Sequence, residues 1–361
     1  MRIENLQLFQ FKNYNQSNFS FQKRLICIAG PNGCGKTTIL DAIYFLSYTK
    51  SYFLHQDTFC VQKGKQGFRL SGSFLRHHQP HVVECILREN GRKELKLDQV
   101  PYVRFSQHIG RFPVVIICPD DVHLIAEGAE VRRKFLDLIG SSVNPEYLMK
   151  LNQYNKILLQ RNSLLKQWHE RSTSERTLLA VYNSQLDPLA QYIFEQRTKI
   201  SLELAQKTQF IYNELSHSAD EIQLEYQSSL QEKPFMQQLE EGLERDIFSQ
   251  RTQSGIHKDD WIYQLNGLPM KQAASQGQRK TFLFGLKLAH YHFLQSRLGV
   301  DPILLVDDVY EKLDQNRSNA LIHYIVSLPG MAFFTDTHLN RLQQSFEPFE
   351  KEVQFIDLNP S

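Results

Sequence analysis

The chain has 361 residues, 41% of them hydrophobic, with 41 Lys and Arg set against 39 Asp and Glu. That length allows two or three domains, each with its own core, and an aromatic content of 11% excludes an intrinsically disordered chain. The charge is unevenly placed: residues 131–180 carry nine basic and four acidic side chains, whereas residues 211–250 carry two and nine, so only the first stretch suits a phosphate-rich partner.

No apolar run approaches the roughly 18 residues of a membrane span, and the first twenty residues lack the apolar core of a secretory signal, so a cytoplasmic protein is expected. Five cysteines without a C-x-x-C pair predict reduced thiols rather than a disulfide framework or a zinc site.

In chain order, the alternation from Leu6 to Phe11 predicts a half-buried strand with Asn18–Phe21 as its hairpin partner. Leu25–Ala29 is apolar on both faces, the pattern of a central strand covered by helices. It runs into Gly30-Pro31-Asn32-Gly33-Cys34-Gly35-Lys36-Thr37-Thr38 and then a helical pattern carrying Ile39, Leu40, Ile43 and Leu46. Short strands are expected from 66 to 116, ending in Val114–Cys118 and the turn Pro119-Asp120-Asp121. From about 128 long helices follow, with Tyr147, Leu151, Tyr154, Leu158, Leu165 and Trp168 near helical spacing. A second helical stretch covers roughly 176 to 216, which Pro188 is expected to kink or divide. Strand texture returns near Gly255 with Trp261 to Gly267. The expected organisation is an ATPase part at 1–125, a helical arm at 126–250 and the rest of the ATPase part at 251–361.

Gly30 to Thr37 fits G-x-x-x-x-G-K-[ST] between a strand and a helix, the context in which successive backbone N–H groups and a helix N-terminus surround phosphate oxygens. Lys36 is expected on the β- and γ-phosphates and the Thr37 hydroxyl on Mg²⁺. The apolar run Pro302–Val306 ends in Asp307 and Asp308; beside a P-loop, the first acid is expected to hold Mg²⁺ and the second to orient or deprotonate the attacking water. Ser275-Gln276-Gly277-Gln278-Arg279-Lys280 opens another amphipathic helix. Ser275 serves there as an N-cap, and the free N–H groups suit a γ-phosphate. Because the P-loop is already complete, this second phosphate-facing end is expected to meet ATP bound to another subunit, in a head-to-tail pair.

These segments, in this order, resemble the ABC-type ATPases of the chromosome-maintenance branch, the group of SMC and RecF, and most closely the RecF family. Phe11-Lys12-Asn13-Tyr14 is similar to the family's N-terminal motif, Gly30–Thr37 to Walker A, Ser275–Gln278 to the signature, Ile303–Asp308 to Walker B, and Glu311-Lys312-Leu313-Asp314 to the D-loop. Arg132-Arg133-Lys134-Phe135-Leu136-Asp137 and Gly255–Asp260 resemble two further family stretches. The 239 positions between Lys36 and Ser275 are too few for a long coiled coil and fit a compact arm. The departures are Ile256 in place of a proline, Phe53 in place of an arginine, Arg279-Lys280 after the signature, and His338 later than a switch histidine would fall.

The resemblance implies an α/β fold: an ABC-type P-loop ATPase head with a mixed β-sheet, interrupted by a helical arm. It implies ATP and Mg²⁺ as cofactors, slow hydrolysis, and a homodimer closed by ATP with Ser275, Gln276, Gly277, Gln278 and Asp314 acting in trans. Lys12 and Asn13 join the ATP-binding set. It also implies duplex DNA next to single-stranded gaps, and RecR, RecO and RecA as partners in recombinational repair. Candidate DNA contacts are Lys50, Lys63, Lys65, Arg76, Arg132, Arg133 and Lys134, with Arg104, Lys150, Lys156, Arg161, Lys166 and Arg171 as further phosphate-facing positions. The competing expectations are an ABC-type ATPase subunit that drives a protein partner without touching DNA, and a small-molecule P-loop kinase.

Overall fold

A computed structural model describes residues 1–168, 176–308 and 315–359, so the expected roles of Arg171 and Asp314 lie outside the described residues. The chain forms two compact units. The first comprises Met1–Val122, Phe210–Ser218 and Ser275–Ser361, and the second His123–Gln209 and Ala219–Ala274.

The first unit holds two sheets. Leu25–Ala29 lies inside a five-stranded parallel sheet, between Val353–Asp357 and Ala332–Asp336, with Ile303–Val306 and Val114–Ile117 beyond. Strands of this kind are buried on both faces, which is why they read as continuous apolar runs: every residue of Leu25–Ala29, Ile303–Val306 and Val114–Ile117 is buried. The other sheet is antiparallel and six-stranded. It is built on the hairpin Arg2–Phe11 and Tyr14–Ser20 and continues through Phe68–Arg76, Gln79–Leu87, Lys93–Leu97 and Val100–Pro101. Parallel and antiparallel strands thus sit in separate sheets. The helix Lys36–Tyr48 packs against both, and every one of its residues except Thr37 is buried. Phe11, Phe45 and Phe68 meet edge to face where it touches the antiparallel sheet.

The second unit is built on Ala129–Val143, Pro145–Trp168 and most of Arg176–Ser216, around a core that includes Tyr147, Tyr154, Leu186 and Ile193. Pro188 does not divide the long helix, which runs unbroken for 41 residues. The expected boundary at 250 moves to 274, because Asp260–Leu265 pairs antiparallel with Ile222–Gln227, placing Trp261 opposite Tyr226. Buried ion pairs tie this unit together. Arg197 reaches Asp137 (3.0 Å), Asp259 (3.1 Å) and the Ile256 carbonyl (2.7 Å), and Arg161, wholly buried, pairs with Asp246 at 2.8 Å.

Candidate active site

The P-loop begins where Leu25–Ala29 ends and closes at Gly35, whose φ of 111° lies in the left-handed region. A Cβ there would come within 2.6 Å of the Tyr14 ring and 2.7 Å of Asn13 Nδ2, so glycine is required on both counts. Asn13 in turn accepts a hydrogen bond from the Thr38 hydroxyl (2.7 Å), which fixes the β-hairpin turn to the first helical turn. Lys12 Nζ pairs with the buried carboxylate of Asp41 at 2.7 Å and lies over the Phe53 ring at 5.3 Å, so Phe53 supplies a π-face to this ammonium. Lys36 Nζ donates to the carbonyls of Gly30 (2.7 Å) and Pro31 (3.2 Å), curled back over its own loop. Pro31, Asn32 and Gly33 are exposed at the loop's tip, and Cys34 is half-buried.

Thr37 and Asp307 are 270 positions apart in sequence, and the Thr37 hydroxyl donates to Asp307 Oδ2 at 2.8 Å. Two features of the parallel sheet place the acid there. Asp307 N–H donates to the Ile117 carbonyl (2.8 Å), and the Thr335 hydroxyl, from the strand on the other side, donates to Asp307 Oδ1 (2.6 Å). Burial pushes the Asp307 carboxyl above its usual range, while the hydroxyls of Thr335 and Thr37 pull it down. A hydroxyl and a buried carboxylate side by side are hard oxygen donors, the kind of partial shell that Mg²⁺ completes with water and phosphate oxygens. Asp308 follows with φ 46°, a left-handed conformation that aspartate tolerates better than most residues, and its N–H donates to Thr335 Oγ1 (2.8 Å). Thr335 was missed in the sequence; its only signal there is a hydroxyl at the end of an apolar strand. His338 begins a helix and donates its N–H to Asp336, which also pairs with Arg341.

The signature segment opens the helix Gln276–Leu298 through a reciprocal capping box: Ser275 Oγ accepts from Gln278 N–H, and Gln278 Oε1 accepts from Ser275 N–H. Ser275 and Gln276 are exposed. A Cβ on Gly277 would lie 2.1 Å from Arg317 Nη1, so the absence of a side chain lets that guanidinium close over the first turn. Gln276, Arg279 and Lys280 line a cavity of about 220 Å³ together with Pro119, Asp307 and Asp308, so the start of this helix shares a cavity with the acid pair of its own subunit.

The basic candidates separate by environment. Lys50, Lys63, Lys65, Arg104, Lys134, Lys156 and Lys166 are exposed, Arg76 and Lys150 are half-buried, and Lys134 and Lys150 pair with Glu130 and Glu146 on their own helices. Two expectations need correction. Arg132 grips both oxygens of Asp260 (2.8 and 2.9 Å) and Arg161 is wholly buried, so both are engaged inside the second unit, whereas Arg133 is half-buried and donates from Nη1 to the Asp259 carbonyl (2.5 Å).

Known proteins resemble this chain along nearly its whole length. An AAA domain family matches residues 1–260. The DNA replication and repair protein RecF of Flavobacterium johnsoniae is 38% identical over 99% of this chain and 100% of its own length, and that of Cytophaga hutchinsonii is 35% identical over 99% and 94%. The chain belongs to the RecF family. A solved structure of the recombination mediator protein RecF-ATP in the RecFOR pathway superposes with a TM-score of 0.87 at 27% identity, covering 93% of this chain and 92% of that one. An Smc head domain from Pyrococcus furiosus shares the fold at a TM-score of 0.53 and 16% identity. The α/β head with its helical interruption is therefore that of a RecF-type ABC ATPase of DNA replication and repair, and among the described residues no helix is long and apolar enough to cross a membrane.

Proposed function

We propose that this RecF-family protein is an ATP-dependent recombination mediator that dimerises on ATP, binds duplex DNA at single-strand gaps and supports recombinase loading. The observation that carries this reading is the 2.8 Å contact between Thr37 and Asp307 beneath a complete P-loop, in a chain similar to RecF along its whole length. Gly30–Thr38 receives the phosphates, and Lys36 exchanges the carbonyls of Gly30 and Pro31 for β- and γ-phosphate oxygens. Thr37 and Asp307 would hold Mg²⁺, which when bound would neutralise phosphate charge. Asp308 orients or deprotonates the attacking water. Ser275, Gln276, Gly277, Gln278 and Asp314 complete the site on the partner copy, and slow hydrolysis reopens the pair.

RecR, RecO and RecA follow as downstream partners, in keeping with the RecFOR pathway in which the solved relative acts. With Arg132 engaged internally, the DNA contacts reduce to Lys50, Lys63, Lys65, Arg76, Arg133 and Lys134. That same engagement favours the second reading, an ATPase that drives a protein partner and leaves DNA alone.

Fluorescence anisotropy of a labelled gapped duplex separates the two. Binding should need ATP and Mg²⁺, fall steeply with salt, and vanish in Lys36→Ala. No binding at low salt with ATP present would overturn the DNA-binding reading in favour of the protein-partner one.

A further inference from the structure

Lys287 lies three turns into the signature helix and is 1% exposed. Its ammonium donates to Asp121 Oδ1 (2.6 Å), the Ile116 carbonyl (2.9 Å) and the Tyr52 hydroxyl (2.9 Å), three acceptors from three different segments. Each of these leads to the nucleotide site. Ile116 precedes Ile117, whose carbonyl accepts the N–H of Asp307. Asp121 Oδ2 accepts the N–H of Cys118, closing the turn that ends the same strand. Tyr52 donates its backbone N–H to Asp41 (2.7 Å), which lies one turn after Thr37 on the P-loop helix and also holds Ser51 and Lys12.

We propose that Lys287 is a positioning residue: it sets the signature helix in register with the strand that places Asp307 and with the helix that places Thr37, so that Ser275 and Gly277 are presented correctly relative to the acid pair. Packing alone does not call for such a group. A buried ion pair is commonly no more stabilising than apolar side chains of the same size, whereas removing one partner leaves a costly orphan charge. What the charged head adds is direction, because three acceptors fix one ammonium position and apolar contact would fix none. This inference rests on the ATPase reading above.

The test uses the full chain as wild type, as Lys287→Met, and as the charge-neutral pair Lys287→Met with Asp121→Asn, which keeps an acceptor for Cys118. The neutral pair should regain the thermal stability that the single variant loses. It should bind a fluorescent ATP analogue within about threefold of wild type, since Lys36 and Thr37 are untouched, yet have a kcat lower by about tenfold or more. Lys287→Arg, which keeps the charge, should recover part of that loss. A neutral pair that matches wild type in both stability and kcat would reduce Lys287 to a structural role and overturn the inference. Should the neutral pair fail to fold, Asp121→Asn alone carries the test, with a smaller fall in kcat at constant KM expected and wild-type kcat overturning the proposal. Failure of the wild type to hydrolyse ATP would instead overturn the functional reading on which the inference rests.

Discussion

Asp308 is the residue on which turnover should depend most sharply. Its neighbour Asp307 is buried and already occupied by two threonine hydroxyls, whereas Asp308 is half-buried on a left-handed turn beside the cavity under the signature helix. Asp308→Asn should keep nucleotide binding and lower turnover by about 100-fold or more, as loss of a general base does, measured by phosphate release. The basic candidates divide in a similar way. Arg132→Ala should lower stability by about 1.5–3 kcal/mol in urea unfolding, since the Asp260 carboxylate loses both bonds to the guanidinium and keeps the Trp261 N–H, and should leave the salt slope of DNA binding unchanged. Lys134, exposed and paired only along its helix, should show the reverse behaviour. Sequence could not separate these two positions, which lie two residues apart. Both stand in a basic run, and only the strand from Asp260, 128 positions away, reveals that Arg132 is already spent.

At the scale of elements, the helix Gln276–Leu298 depends on what its first turn lacks. Gly277→Ala would bring a Cβ against Arg317 Nη1, the far end of a flexible side chain, so the protein should fold with a stability change of about 1 kcal/mol or less while ATP-dependent dimerisation weakens measurably in sedimentation. The P-loop helix ends in a different constraint. His108, fully buried, donates from Nε2 to the Leu46 carbonyl (2.7 Å), and burial lowers its pKa to about 4. The unfolded chain therefore takes up a proton at His108 that the folded chain refuses as pH falls from about 6.5 to 4, so this residue should lower stability across that window by at most about 3 kcal/mol, and His257 and His290, whose pKa values burial also lowers, should add to the drop. Urea unfolding at pH 7 and pH 4.5 checks this, and His108→Gln should lose part of the pH dependence.

Elements with a strong local signature were legible in the sequence: the doubly apolar strand before Gly30, the P-loop, and the capped signature helix all lie where the pattern places them. Elements that tertiary context decides were less so. Pro188 reads as a kink or a break, yet the helix Arg176–Ser216 carries it undivided through a unit whose packing on both sides offsets one missing hydrogen bond. The strand Asp260–Leu265 was assigned to the ATPase part, because sequence shows its texture but not that its partner is Ile222–Gln227. Thr335 carried only the weak signal of a hydroxyl at the end of an apolar strand and Lys287 none, since their importance comes from acceptors brought to them by other segments.

For the whole molecule, the account rests on ATP joining two copies around DNA. The signature end of the helix Gln276–Leu298 is exposed at Ser275 and Gln276, where a partner's nucleotide could meet it, and the P-loop tip is exposed at Pro31 to Gly33. An enzyme that works alone on a small phosphate acceptor needs the P-loop tip but has no second nucleotide for the exposed signature end to meet. The most direct test is sedimentation velocity of Asp308→Asn with and without ATP and Mg²⁺, repeated with a fluorescent gapped duplex. The account predicts a monomer without nucleotide and, with ATP, a dimer that carries the labelled DNA. A monomer under every condition, or a dimer that leaves the duplex behind, would contradict it.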